Sequence, residues 1–145
     1  MQLATKGFNV VLVSGTQSEL TTLAQAIKSK YSGIQTKALA IGFERNDSAD
    51  YEPLMALVKD LHIAILIDNV SKSNNIAIPF LETSGMEMDE IITINVNGTL
   101  KITQILELCM DLRKRGPTLT MGAFGSLLPT PFLATYSSSK AFVQH

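Results

Sequence analysis

A tyrosine and a lysine late in the sequence, Tyr136 and Lys140, have the residue types and the spacing needed for proton transfer. Residues four apart lie on one face of an α-helix, so a phenol and an ammonium can share one site there. A phenol with a pKa of about 10 is a poor proton donor at neutral pH, and a neighbouring cation favours its phenolate form. Such a pair suits protonation of a carbonyl oxygen during hydride reduction, although the spacing alone also fits an ordinary exposed helix.

The composition excludes several classes of function. A chain of 145 residues fits one domain, residues 1–145, and a hydrophobic content of 46% indicates a globular protein. The net charge of −1 argues against a nucleic-acid surface, since no basic cluster exceeds Arg113–Arg115. A single cysteine, Cys109, excludes an internal disulfide, and two histidines, His62 and His145, leave no argument for a metal site.

Apolar runs alternate with amphipathic helical stripes along the chain, and these elements must position Tyr136 and Lys140. Short apolar runs rich in β-branched residues predict buried parallel strands at 8–14, 34–41, 63–67 and 118–121. Helical spacing or capping signals predict helices at the N-terminus before Gly7, after Thr16, around 51–58, from 86 to 113 and around 136–140, with an extended Pro79–Leu81 segment.

This alternation predicts an α/β fold with right-handed crossovers and an open, doubly wound parallel sheet. Ligands bind in such folds beyond the carboxyl ends of the strands. Those ends are predicted at Ser14–Thr16, Gly42, Asp68–Ser71 and Gly122–Phe124, and the helix carrying Tyr136 starts from the same edge. The predicted sheet therefore places the tyrosine and the lysine where a ligand site is expected.

Five segments carry a resemblance to a known family: Gly7–Ser14, Pro79–Thr83, Ile91–Gly98, Leu119–Gly122 and Leu127–Lys140. The pattern resembles the short-chain dehydrogenase/reductase superfamily. Within it, the sequence is most similar to the fungal very-long-chain 3-oxoacyl-CoA reductases of microsomal fatty-acid elongation. The likeness covers nearly the whole chain, and the Pro-Thr-Pro loop before Tyr136 is specific to that branch.

The resemblance implies a partial Rossmann-like domain that uses NADPH as hydride donor and a long-chain 3-oxoacyl-CoA as substrate. Tyr136 would be the proton donor, and Lys140 would favour the phenolate and hold the cofactor ribose. Asn95 matches an asparagine that supports a water-mediated proton relay, and Asn69 matches part of a loop on the adenosine side of the cofactor. The resemblance also implies dimerisation through the helix at 86–113 and the helix starting near Tyr136. No metal is expected, on the histidine and cysteine content alone.

The sequence departs from the family pattern at several functional positions. The first strand and its glycine-rich turn, which cradle the cofactor pyrophosphate, would precede Met1, and further strands would follow His145, so we expect a truncated domain that binds NADPH poorly. Gly15 stands where an arginine would pair with the 2′-phosphate, and Gly42 where an aspartate would contact adenine. Asp68 and Ser71 replace an asparagine and a glycine.

Ala123 occupies the position of the catalytic serine, and Ser126, three residues later, is expected to point elsewhere. These departures leave three hypotheses open: a reductase by descent that is catalytically impaired, a non-catalytic pseudoenzyme that pairs with a longer relative, and a relic without function.

The family is anchored in the endoplasmic reticulum membrane. This chain has no apolar run of 18 residues and no signal peptide, so a cytoplasmic or unknown location is expected.

Overall fold

The computed structural model describes residues 1–111, 116–128 and 130–144, apart from the side chain of residue 111. The chain divides into two compact units, Met1–Gly42 and Phe43–His145. Each unit contains a pair of parallel strands, and the two pairs form separate two-stranded sheets. Helices alternate with these strands along the chain, as the sequence predicts.

The first unit is built from two helix–strand pairs. Helices α1 (Gln2–Thr5) and α2 (Gln17–Lys30) alternate with strands β1 (Val10–Ser14) and β2 (Thr36–Ala40). The strands run parallel, in register from Val10 opposite Thr36 to Ser14 opposite Ala40. Gly7 follows α1 with a φ of +86°, a conformation that glycine adopts without steric cost, which agrees with its predicted place at the helix end.

The second unit contains the remaining helices and strands. A 3₁₀ turn at Ser48–Tyr51 leads into α3 (Glu52–Val58), and the short strand β3 (Leu66–Asp68) follows. The next helical stretch comprises α4 (Gly85–Ile92), a π-helix (Thr93–Gly98) and α5 (Thr99–Asp111). Strand β4 (Thr118–Thr120) pairs in parallel with β3, and α6 (Ala134–Phe142) carries the tyrosine and the lysine.

The predicted helix at 86–113 is interrupted by the π-helix, and the last two residues of that prediction lie outside the described residues. Its buried residues Ile91 and Val96 are five positions apart, the spacing of a π-turn rather than of an α-turn. Gly98 lies against the ring of Phe43, and a Cβ at that position would lie 3.1 Å from the ring atom Cδ1. The absence of a side chain at Gly98 therefore lets the helix backbone lie close to this aromatic ring.

The extended conformation predicted for Pro79–Leu81 is found at Pro79, with a φ of −54° and a ψ of 145°, and is wrong for Phe80 and Leu81. Residues Phe80–Glu82 form a 3₁₀ turn, in which the Glu82 amide donates to the Pro79 carbonyl at 2.9 Å. The turn ends just before Ser84, whose hydroxyl caps α4 by accepting from the Glu87 amide at 3.1 Å. The proline fixes only its own φ and leaves the following residues free to turn.

Asp68 ends β3 with a buried carboxyl group that is only 8% exposed. Its Oδ2 accepts a hydrogen bond of 2.9 Å from the hydroxyl of Thr103 on α5. Burial raises the pKa of Asp68; the bond from Thr103 lowers it in part, and the negative charge of Glu107 raises it further. The folded state therefore favours the protonated form of this side chain.

Replacing Asp68 with asparagine is expected to raise the free energy of unfolding at pH 7, because it removes a buried charge. Asparagine keeps an oxygen for Thr103 and removes the buried charge. Because the folded pKa of Asp68 is raised, the cost of its charge is present in full above that pKa and disappears as the pH falls below the unfolded value. Urea titrations at pH 7 and near pH 3.5 should thus show the gain only at the higher pH. Asp60→Asn, at an exposed position, is the matched control.

Candidate active site

Tyr136 and Lys140 lie one turn apart on α6, as their spacing predicts. Tyr136 is partly buried, whereas Lys140 is only 4% exposed. The Lys140 ammonium donates to the Met121 carbonyl, just past the end of β4, at 3.1 Å. Burial lowers the pKa of Lys140, because an ammonium group loses hydration there. The cation is thus placed at the carboxyl end of a parallel strand.

Asn95 lies in the π-helix and is 1% exposed. Its side-chain oxygen accepts from the Lys72 amide at 2.7 Å, and its Nδ2 donates to the Lys72 carbonyl at 2.9 Å. The same Nδ2 donates to the hydroxyl of Ser139 at 2.8 Å. One side chain thus joins the loop after β3, the π-helix and α6, and π-turns occur frequently at functional sites.

Ser139 is a member of the site that the sequence analysis missed. Its hydroxyl accepts from Asn95 and donates to the carbonyl of Tyr136 at 2.7 Å. The sequence feature that could have identified Ser139 is its position three residues after Tyr136, because that spacing puts both residues on one side of the helix. Its partner Asn95 lies 44 residues away in sequence, so helical spacing alone could not reveal that bond.

Two glutamates on α4 hold the loop that contacts Asn95. The Lys72 ammonium lies 2.9 Å from a carboxylate oxygen of Glu90, and the Asn75 amide donates to Glu87 at 2.8 Å. Asn69, in the same loop, is exposed. The structure therefore brings Asn95 together with the tyrosine helix, and the cofactor role of Asn69 stays a prediction.

Ala123 follows β4 and brings no hydroxyl group to the site. Ser126 is turned back by a 3₁₀ turn, and its Oγ lies 2.5 Å from the Ala123 carbonyl oxygen and 2.6 Å from Oε1 of Gln144. Gln144 follows Tyr136 by eight residues, roughly two helical turns. The Ser126 hydroxyl thus lies between the Ala123 carbonyl and Gln144, which is two residues past the end of α6.

Gly15 lies in the first unit, directly after β1. A Cβ added there would have the Ile41 carbonyl oxygen as its nearest atom at 3.8 Å, which is an ordinary contact. Local packing therefore does not require glycine at this position, and the backbone would accept the arginine that the resemblance implies.

Comparison with known protein families shows which family this chain belongs to. The family model described as short chain dehydrogenase matches residues 1–145. The chain belongs to the short-chain dehydrogenases. It is 60% identical over 144 residues to the very-long-chain 3-oxoacyl-CoA reductase of Aspergillus oryzae, covering 99% of this chain and 42% of that protein. The Neurospora crassa reductase of the same name is 51% identical, with 99% of this chain and 43% of that protein covered.

Solved structures agree with this short-chain dehydrogenase fold. A structure of a 7β-hydroxysteroid dehydrogenase matches with a TM-score of 0.86 and 22% identity, covering 97% of this chain and 52% of the other. A Sphingobium yanoikuyae short-chain dehydrogenase in complex with NADPH matches with a TM-score of 0.85, 22% identity and coverages of 98% and 54%. The chain thus has a partial Rossmann-like α/β fold. Its described residues include no helix that is both long and apolar enough to cross a membrane.

Proposed function

We propose that this short-chain dehydrogenase chain derives from, and retains part of, an NADPH-dependent reductase of long-chain 3-oxoacyl-CoA. One observation carries the proposal. Tyr136 and the buried Lys140 lie one turn apart in a chain that is 60% identical over 144 residues to a protein named very-long-chain 3-oxoacyl-CoA reductase. The chain spans 42% of the length of that relative, so the activity of the whole protein is carried over here as a proposal.

The Lys140 ammonium supports the cofactor part of the proposal. An ammonium has three N–H donors, and among the described residues one acceptor, the Met121 carbonyl, lies within hydrogen-bonding distance. Two donors are left for hydroxyl groups such as those of a ribose. The nicotinamide cofactor would supply the hydride for C3 of the substrate. Tyr136 would give its phenolic proton to the carbonyl oxygen, and Lys140 would stabilise the phenolate that remains.

Asn95 would act by holding the site in place. Its amide is engaged with the Lys72 backbone and with Ser139, so its side chain ties the loop after β3 to the tyrosine helix. Asn95 would therefore support a proton relay indirectly, by keeping the segments around Lys140 in fixed positions.

Large apolar side chains in the loop before α6 support an acyl substrate. Four of them are more than half exposed: Phe124, Leu127, Leu128 and Phe132. The stretch from Gly116 to Ser139 contains no charged residue. An apolar surface directly ahead of Tyr136 suits a long hydrocarbon chain, because burying apolar area on binding is favourable.

Ala123 is expected to impair turnover. A carbonyl oxygen that gains negative charge during hydride transfer is stabilised by preorganised donors, and loss of one such donor costs on the order of 10²–10³ in rate. We therefore propose a slow reductase rather than an efficient one.

Replacement of Tyr136 by phenylalanine tests this function. The purified chain should oxidise NADPH in the presence of a long-chain 3-oxoacyl-CoA, followed by nicotinamide absorbance, and Tyr136→Phe should lower that rate by about 10²–10⁴ because the proton donor is gone. Tyr31→Phe, which removes a phenol from the first unit, should leave the rate unchanged. A wild-type rate equal to the enzyme-free blank would refute the proposed activity.

A second candidate function is that of a non-catalytic partner of a longer reductase. Large apolar residues are exposed along the helical stretch of α4 and α5, including Met86, Leu100 and Leu108. Such residues suit contact with a second subunit, so the chain would pair with a longer relative through this face. Co-expression with the Aspergillus oryzae reductase tests the idea, and failure of the two chains to co-purify would exclude it.

A further inference from the structure

Three consecutive serines on α6 have three different environments. Ser137 is 8% exposed, and its hydroxyl oxygen is buried without a hydrogen-bond partner. Ser138 is exposed, and Ser139 is 1% exposed with two partners. Only the third of these hydroxyls therefore connects α6 to the rest of the site.

The hydrogen bonds of Ser139 link two residues of the proposed site, Asn95 and Tyr136. Asn95 Nδ2 lies 2.8 Å from Ser139 Oγ, which in turn lies 2.7 Å from the Tyr136 carbonyl oxygen. Asn95 is itself fixed, because both polar groups of its amide bind the Lys72 backbone. The α6 backbone at Tyr136 is thus linked to a fixed side chain outside the helix.

The α6 turn from Tyr136 to Lys140 separates the phenol from the ammonium. Tyr136 begins it and Lys140 ends it, so a bond to the Tyr136 carbonyl fixes the backbone from which both side chains extend. Ser139 and Asn95 are both buried, where a hydrogen bond is electrostatically stronger than in water. A serine that bonds a carbonyl in the preceding turn can also bend a helix slightly, which changes the direction of the side chains on it.

We infer that Ser139 is a positioning residue, which holds Tyr136 and Lys140 in their relative placement by linking the Tyr136 carbonyl to Asn95. The catalytic part of this inference rests on the proposed reductase function, whereas the placement of Lys140 can be measured without activity. Ser139 itself contacts neither of the reacting groups of the proposed chemistry.

The experiment replaces each serine of the run by alanine. NMR titration of the Lys140 ε-methylene, assigned by comparison with Lys140→Arg, reports the surroundings of the ammonium. Ser139→Ala should raise the titration midpoint of the Lys140 ammonium by at least half a pH unit. Without the Ser139 bond the turn is held less firmly, so water can reach the ammonium. Ser137→Ala and Ser138→Ala should leave the midpoint unchanged. In the reductase assay, Ser139→Ala should lower kcat about tenfold or more, since misplacement of catalytic groups is costly, and it should raise KM for NADPH, since Lys140 would hold the cofactor ribose.

Two further variants separate positioning from general destabilisation. Val58→Ala removes buried side-chain volume on α3, so it should reduce stability without changing the Lys140 midpoint or kcat. Ser139→Thr keeps the hydroxyl and should restore both measurements toward wild type. If circular dichroism showed Ser139→Ala to be unfolded, the titration midpoint of Lys140 would be measured in Ser139→Cys, whose side chain is only slightly larger than that of serine and donates weakly.

The outcomes distinguish this inference from the proposed function. A folded Ser139→Ala with the wild-type Lys140 midpoint would overturn the inference, whatever the activity. A shifted midpoint in a chain whose wild type reduces no 3-oxoacyl-CoA would support positioning and refute the reductase proposal. A shift of the same size in Val58→Ala would assign the effect to lost stability and would also overturn the inference.

Discussion

Replacing Ala123 by serine is expected to raise the rate of 3-oxoacyl-CoA reduction by about 10²–10³. Ala123 directly follows the Met121–Gly122 segment, and the Met121 carbonyl accepts from Lys140. By the resemblance, a hydroxyl group added here would stand where the family has its catalytic serine. There it could donate to a carbonyl oxygen at the moment when negative charge develops. The increase should appear in kcat, because the bond is strongest in the transition state.

Two controls make this result specific. Ala123→Gly changes the side chain without adding a donor, so it should give no increase. Ala123→Ser combined with Tyr136→Phe should stay slow, because the added hydroxyl assists the proton donor and does not replace it. If Ala123→Ser alone left the rate unchanged, the missing serine would not be what limits this chain.

Replacing Asn95 by alanine is expected to destabilise the fold by about 3–5 kcal/mol. The substitution removes three hydrogen bonds and leaves the Lys72 amide and carbonyl without their side-chain partner. Burial prevents water from replacing those bonds at full strength. Native domains have a total stability of about 5–15 kcal/mol, so the variant should be largely unfolded in mild urea.

Asn69→Ala is the matched control for this measurement. It removes the same side chain from an exposed position in the loop after β3, so the free energy of unfolding should change by less than about 0.5 kcal/mol. If Asn95→Ala lowered the free energy of unfolding by less than about 1 kcal/mol, the loop after β3 and α6 would be shown to stay together without the Asn95 amide.

Hydrophobic periodicity was sufficient to predict the order of the main helices and strands. Strand β1 was predicted from the apolar run Val10–Val13, and helix α2 from its capping signals after Thr16. The full burial predicted for β1 is wrong, because all five of its residues are only partly buried. The interruption of the helix at 86–113 escaped prediction. Its only signal is the five-residue interval between Ile91 and Val96, which a search for α-helical spacing passes over.

The candidate site was predictable only where its members are close in sequence. Tyr136 and Lys140 are one helical turn apart, so local geometry was sufficient to pair them. The contact of Asn95 with Ser139 joins residues 44 positions apart, and it depends on how α6 packs on the π-helix. Such a contact is a property of the tertiary fold, and no local pattern in a single sequence encodes it.

The π-helix at Thr93–Gly98 also bears on how such a site can be gained or lost in evolution. A π-turn holds one residue more than an α-turn, and each α-helical residue turns the chain by about 100°. Deletion of a single codon within this segment would restore regular α-helical geometry and rotate α4 by that angle relative to α5. Asn95 would then no longer join the Lys72 backbone to Ser139. One insertion or deletion, rather than a series of substitutions, would be enough to assemble or dismantle this connection.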